Sequence, residues 1–572
     1  MSRFFRAAIF LVIFLYAGSA FAAGGTCPAG ANYLNSTGQP VTLANLGVTN
    51  CYYIAASGSD SNNGTSESTP WAHLPGMPTC TANCAAALPS GAPNANADAA
   101  GIGFIIRGGD TWNGSNLGIE WKWGGTATGP VYIGVDPTWY SGSSWARPIW
   151  TCGGATCTGG ITSYYWRAFD QSYITVDNIE VTGLLETSTG SPNYLNVCGM
   201  YQTVENVYAH GWATQLTSST SSQVFGVGCG TNVTGLTLRY NVADGSDTSQ
   251  NMMFVTHSST PIAYGNVMRY VVTGLDGCGD DWHDNLVEYM VAQVGGGHQD
   301  ALYHETQCYS PNSMIYNNVV RHTTWAGSGG AVKLYLNGDA PCPYGSAVSS
   351  CVSYAFNNVV YDNLPGNVVD TGGHFAVNYG TWYIFNNTID CGTDSSPGNC
   401  GLGDSGNGQD TIAAHGTMAL HLINNHWIST NKSSVTGWGN LVGSCAYFTC
   451  SETNGVYQTV AAASAQGYTD SGTYAFQPTN ASGSTVGTGA NNQSLCSEVS
   501  AIDSNAGAAC EGDTAYACAY NSTNHTVSCP AKPALTRPAG AWDVGAYQFG
   551  TTTTKAPASA PKPPQGLTAA VQ

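Results

Sequence analysis

Within five positions of "GDDWHDN", residues 279–285, stand Asp280, Asp281, His283 and Asp284. Only 9% of the chain is charged, so this crowding stands out. Asp276, Glu288, Asp300, Glu305, His298 and His304 lie within the same 30 residues, 276–305. Close carboxylates shift one another's pKa and attract cations, and histidine moves protons near neutral pH. One chemistry is metal-assisted elimination: Asp280, Asp281, Asp284 and Glu305 would hold Ca²⁺. Lys333 would act as base, with His304 or Tyr335 as acid. The other is hydrolysis by two carboxylates, with Asp281 the leading candidate. The bland alternative is a solvated turn with a structural Ca²⁺.

Such residues act only if the chain brings them together. A short pattern recurs along it: "YITVDNIEV", "LTLRYNVA", "SMIYNNVVRH", "SYAFNNVVYD", "WYIFNNTID". Alternating apolar residues flank one or two asparagines. The markers are Asn178, Asn206, Asn241, Asn266, Tyr289, Asn318, Asn358, Asn387 and Asn425, about 23 to 40 residues apart. Alternation predicts short strands with one buried face. A second short strand precedes most copies, as in "ALYHET" and "AVKLYL". One repeat cannot bury its apolar face, but stacked repeats can. The expected fold is therefore all-β, a parallel β-helix solenoid. Asparagine suits its tight bends, tolerating the left-handed conformation and hydrogen-bonding the next turn.

"YYIAASGSDSNNGTSESTPWAHL" (52–74), "RGGDTW" (107–112) and "RPAGAWDVGAYQF" (537–549) point further. With the repeats between them, the chain resembles right-handed parallel β-helix proteins of the pectate-lyase-like superfamily, of the secreted bacterial type. The resemblance covers nearly all of residues 51–549. It implies that fold and a carbohydrate partner, but the superfamily includes lyases, hydrolases and non-catalytic adhesins. Asp280-Asp281, His298 and Lys333 follow the order of polygalacturonase elements. However, "GGGHQD" and "AVKLY" depart from that pattern, and no roles are carried over.

Aligning the strand before each marker puts His257, Asp281, His283, His304 or Glu305, Lys333 and Tyr335 on one outward face. Stacked turns would set them about 5 Å apart. His257, His283 and Trp282 would contact the sugar, with Tyr303, Tyr335, Trp325 and Trp382 as further stacking platforms.

Other features set the context. Arg3 and Arg6 precede an apolar run and the small-residue site Ala20-Phe21-Ala22, so residues 1–22 read as a secretory signal peptide. No later stretch would span a membrane. All 20 cysteines follow it, which suits disulfide-stapled loops in an oxidising compartment. Close pairs such as Cys80/Cys84, Cys152/Cys157 and Cys510/Cys518 would form the staples. A net charge of −19 disfavours nucleic acid as a partner. Residues 23–50 read as an N-terminal cap and 51–549 as the helix, clearest over 165–430, with a C-terminal cap region over 430–549. Residues 550–572 read as a disordered Thr/Ala/Pro-rich tail. The expected function is secreted cleavage of an extracellular polysaccharide, as a metal-assisted lyase. The alternatives are a carboxylate-pair glycoside hydrolase and a non-catalytic adhesive surface protein.

Overall fold

The computed structural model describes residues 24–34, 40–88, 99–153, 164–169, 171–186, 192–214, 222–227, 234–247, 255, 262–277, 281–291, 300–304, 312–322, 334–337, 352–361, 375–378, 381–390, 402–403, 419–429, 449–465, 477–512, 519–528 and 537–549. The expected signal peptide and C-terminal tail lie outside them.

Short parallel strands build two long sheets, of 14 and 12 strands. A third column is split into a four-stranded and a five-stranded sheet. The chain visits them in rotation. Asp281–His283 joins the 14-stranded sheet, Leu286–Glu288 the 12-stranded one and Leu302–His304 the five-stranded one. Met314–Tyr316 then returns to the first sheet, beside Asp281–His283. This turn of the coil thus adds one strand to each column. Among the described residues, no helix is long and apolar enough to cross a membrane.

Period-two alternation sets the core. From the 14-stranded sheet Ala263, Trp282, Ile315, Ala355 and Ile384 point inward, and from the 12-stranded sheet Met268, Val287, Val320, Val360 and Ile389 do. All are buried in one continuous cluster. Fully burying one such side chain stabilises by roughly 1.5–3 kcal/mol.

A two-residue bend joins the two long sheets in each turn, and its two positions do different work. The first is left-handed: Tyr240 (φ 55°), Gly265 (φ 64°), Asp284 (φ 56°), Asn317 (φ 56°), Asn357 (φ 56°) and Asn386 (φ 54°). The second forms an asparagine ladder. The Nδ2 of Asn241 donates to Asn266, and so on through Asn285, Asn318, Asn358, Asn387 and Asn425, at 2.9–3.1 Å. Each of these side chains also donates to a backbone carbonyl, as Asn318 does to Trp282 at 2.9 Å. The ladder corrects two expectations. Its rung in the fifth turn is Asn285, inside "GDDWHDN", not Tyr289. Tyr289 (φ 54°) belongs to the next corner, stacked between Tyr270 and His322. Asn178 and Asn206 are left-handed bend residues (φ 58° and 54°), one position before the ladder.

Two covers lie on the outer face of the 14-stranded sheet. Near the start, Ala31, Leu43 and Val48 pack on Tyr53, Ile105 and Tyr132, and Cys27–Cys51 ties this segment down. Farther along, helices Gln493–Ile502 and Ser504–Glu511 place Leu495, Val499 and Ala506 on Tyr316, Tyr354 and Phe356. Cys496–Cys510 joins the two helices, correcting the expected Cys510/Cys518 staple. Two cysteines on adjoining helices meet with Cα atoms 5.4 Å apart, which sequence proximity did not indicate. Cys80–Cys84 forms as expected.

Candidate functional site

Between the two covers, the outer face of the 14-stranded sheet is left open as a cleft of about 570 Å³. Three successive turns form its floor, through Arg239, Ile262, Tyr264, Asp281 and His283. Tyr33 of the N-terminal hairpin stands on one side. Asp503 and Asn505, at the start of the second helix, stand on the other. Asp503 caps that helix, accepting from the amides of Asn505 and Ala506 at 2.6 and 2.8 Å.

Strand alternation sends Trp282 inward and its neighbours Asp281 and His283 outward. The His283 ring is sandwiched between Tyr264 and Tyr316 of the adjoining turns, 4.7 Å from each and nearly parallel to both. Both ring faces are covered, so His283 can act only through its nitrogen edge. Its Nδ1 lies 2.9 Å from Asp284 Oδ2, and its Nε2 3.8 Å from Asp281 Oδ2. Asp284 reaches the ring from the left-handed bend. The Tyr316 hydroxyl is hydrogen-bonded to Asp281, and burial, reinforced by Asp281 and Asp284, pushes its pKa well up. It therefore stays a neutral donor. Chemically, this is a histidine gripped at one nitrogen by a carboxylate, with a second carboxylate near the other: a device for moving protons.

The upstream part of the floor is rigid. Glu205 and Arg239 occupy the same register on adjoining strands. Arg239 Nε donates to Glu205 Oε2 at 2.6 Å, with both side chains buried. Arg239 also donates to the Tyr264 hydroxyl at 2.8 Å and to the Leu34 carbonyl. Burial pushes Glu205 up to about 7, against the pull of Arg239. Arg239 is held within the floor by its hydrogen bonds to Glu205, Tyr264 and Leu34.

Several expected site residues are placed elsewhere. Leu302–His304 and Leu334–Asn337 are neighbours in the five-stranded sheet, pairing Tyr303 with Tyr335 and His304 with Leu336. Asp281 and His283 therefore do not share a sheet with His304 and Tyr335, which corrects the single-face expectation. Leu275–Gly277 and Asp281–His283 belong to different columns, although an alignment by distance from an asparagine merges them. Trp282 and Trp382 are each 0% exposed, so neither offers a face to a sugar. Each is an inward residue of an alternating strand, which corrects their assignment as stacking platforms. Tyr303 is half-buried. His257, Asp280, Glu305, Lys333, His298 and Trp325 lie outside the described residues. Among the described residues, no three His, Cys, Asp or Glu side chains are grouped so as to hold a metal ion.

Sequence reasoning missed Arg239, Tyr264, Tyr240 and Tyr33. One signal was available for the first of these. The turns "TVENV" and "LTLRYNV" place opposite charges at one register, a match that period-two alignment can reveal.

No family model matches the chain, and no curated protein matches it. Among solved structures, a rhamnogalacturonan lyase is similar at 14% identity over 62% of this chain and 84% of its own, with a TM-score of 0.33. The pectate lyase Pel9A is similar at 14% identity over 87% and 96%, with a TM-score of 0.35. A GH136 lacto-N-biosidase from Eubacterium ramulus is similar at 12% identity over 72% and 68%, with a TM-score of 0.33. These similarities assign no activity and no residue role to this chain.

Proposed function

We propose that this chain is a secreted right-handed parallel β-helix protein that binds an extracellular polysaccharide in the cleft and cleaves its glycosidic bonds. The observation that carries this reading is the Asp281–His283–Asp284 cluster on the floor of an open cleft with aromatic residues in its lining. Pockets that combine aromatic surface with a few convergent polar groups are the usual setting for catalysis.

Two reactions use such a cluster. In hydrolysis, one group gives a proton to the glycosidic oxygen as its bond to the anomeric carbon breaks, and another takes a proton from the water that adds there. Asp281 and His283 would share these tasks, with Asp284 holding the ring. In β-elimination no water is consumed. A base removes a ring proton, the pair from that C–H bond forms a double bond in the sugar, and the C–O bond breaks with its pair on the leaving oxygen, which takes a proton from an acid. That reaction would place Ca²⁺ on Asp281 and Asp284 together with Asp280 and Glu305, with Lys333 as base. Ca²⁺ takes roughly six to eight oxygen ligands, and Asp280 and Glu305 lie outside the described residues. The cleft also carries Asp281, Asp284 and Asp503, while Arg239 is paired with Glu205. This balance favours hydrolysis of a neutral or weakly charged glycan over elimination from a uronate.

Digestion of neutral galactan, mixed-linkage β-glucan and polygalacturonate distinguishes these outcomes. New reducing ends without the ultraviolet absorbance of an unsaturated uronate are expected, and they should vanish in Asp281→Asn. That absorbance, with dependence on Ca²⁺, would make the protein a lyase. Binding without any product would make it an adhesin.

A further inference from the structure

We infer that the N-terminal hairpin is a working wall of the cleft and that Tyr33 contacts the bound glycan. This rests on the reading of the cleft as a glycan site. Strands Asn32–Leu34 and Pro40–Thr42 form the hairpin. It lies some 200 residues from the floor in sequence, yet it is locked to that floor. Arg239 donates to the Leu34 carbonyl, while the Leu34 amide donates to Glu205 Oε1 at 3.4 Å. The same guanidinium lies over the Tyr33 ring, 5.0 Å from its centre, and its Nη1 holds the Tyr264 hydroxyl. Tyr264 in turn stacks on His283. One buried ion pair therefore sets the positions of the wall, an aromatic of the floor and the proton-moving ring. A cap that served only to cover the sheet would not need a tyrosine in the cleft lining.

The arrangement also sets the ligand's path. Tyr33 from the first cover and Asp503 and Asn505 from the second all line the cleft. A glycan seated against both covers would run across the coil, along the strand direction, and a short run of sugars would touch the protein.

Affinity electrophoresis in gels cast with galactan, β-glucan or polygalacturonate tests the wall. The wild type should be retarded by at least one of them. Tyr33→Ala should bind that glycan about three- to tenfold more weakly, as loss of one aromatic contact implies, in gels run well below its melting temperature. Tyr33→Leu, which keeps apolar packing on the hairpin's core but offers no ring to a sugar, should bind as weakly as Tyr33→Ala, whereas a merely structural role predicts that it restores retardation. Wild-type retardation in Tyr33→Ala would overturn this inference alone. A wild type retarded by none of the three and cleaving none of them would overturn both the inference and the reading beneath it.

Discussion

His283 and Asp284 are chain neighbours on opposite sides of a corner, and their side chains meet at 2.9 Å. The histidine ends a strand, and the aspartate occupies the left-handed bend that follows. That bend position recurs in every turn, so the protein itself supplies structurally matched substitutions for both residues.

For the bend, Asn317, Asn357 and Asn386 hold the position of Asp284. Asp284→Asn should therefore fold with an unchanged melting temperature. Its amide grips the imidazole without a charge, and glycan cleavage should fall by about 100-fold, the scale of lost acid–base assistance. Assay of the purified variant beside the wild type checks this. Undiminished cleavage would reduce Asp284 to a turn residue.

The asparagine ladder should dominate the stability of the coil's middle. Asn318 accepts from the backbone and side chain of Asn285, and donates to Asn358 and to the Trp282 carbonyl. Asn318→Ala strands these buried partners, at about 1–3 kcal/mol for each group left unsatisfied. Thermal unfolding should show a larger drop than for Asn425→Ala at the final rung.

The pair beneath the wall should be asymmetric to mutation. Glu205→Gln or Arg239→Leu leaves one buried charge without its partner and should cost about 3–5 kcal/mol. The double replacement Glu205→Leu with Arg239→Leu should recover part of that loss. Denaturant titration of the three variants measures the coupling.

A histidine outside the cleft predicts a pH dependence. His210 Nδ1 lies 2.6 Å from Asp247 and its Nε2 3.1 Å from Glu180. Burial opposes its charge, but the hydrogen bonds to these acids outweigh it and raise the pKa to about 9. The folded value is above the unfolded one, so the stabilisation is full below about 6.5 and is lost as pH rises through about 9. Asp247 is 45% exposed, so solvent screening limits the effect to about 1 kcal/mol. Denaturation midpoints should fall between pH 6.5 and 9 in the wild type and stay flat in His210→Gln.

Much of the coil was legible in the sequence because burial imposes alternation on every strand and the bend imposes asparagine. The identity of each column was harder to read. Strand Leu302–His304 and strand Asp281–His283 have the same alternation, and only the lengths of the connections between them assign one to the five-stranded sheet. Asn285 was hidden for a related reason. It sits directly after Asp284, and the eye takes the acidic cluster as one unit, although Asp284 is the bend and Asn285 the rung. The cleft walls were not legible at all. Nothing local links Tyr33 or Asp503 to His283; they share the cleft because the segments around residues 31–48 and 493–511 pack over the coil.

The most direct test of the account is His283→Phe. In the same outward column, Tyr316, Phe356 and Phe385 stack on one another at 4.9 and 5.0 Å, so a phenyl ring fits the stack. The substitution keeps the ring stack and removes both ring nitrogens, and with them the hydrogen bond to Asp284; Asp284→Asn in the same chain relieves that residue of its charge. The account predicts a folded variant that still binds the glycan and releases no reducing ends from it. A variant that cleaves as fast as the wild type would contradict the placement of the active site in this cleft.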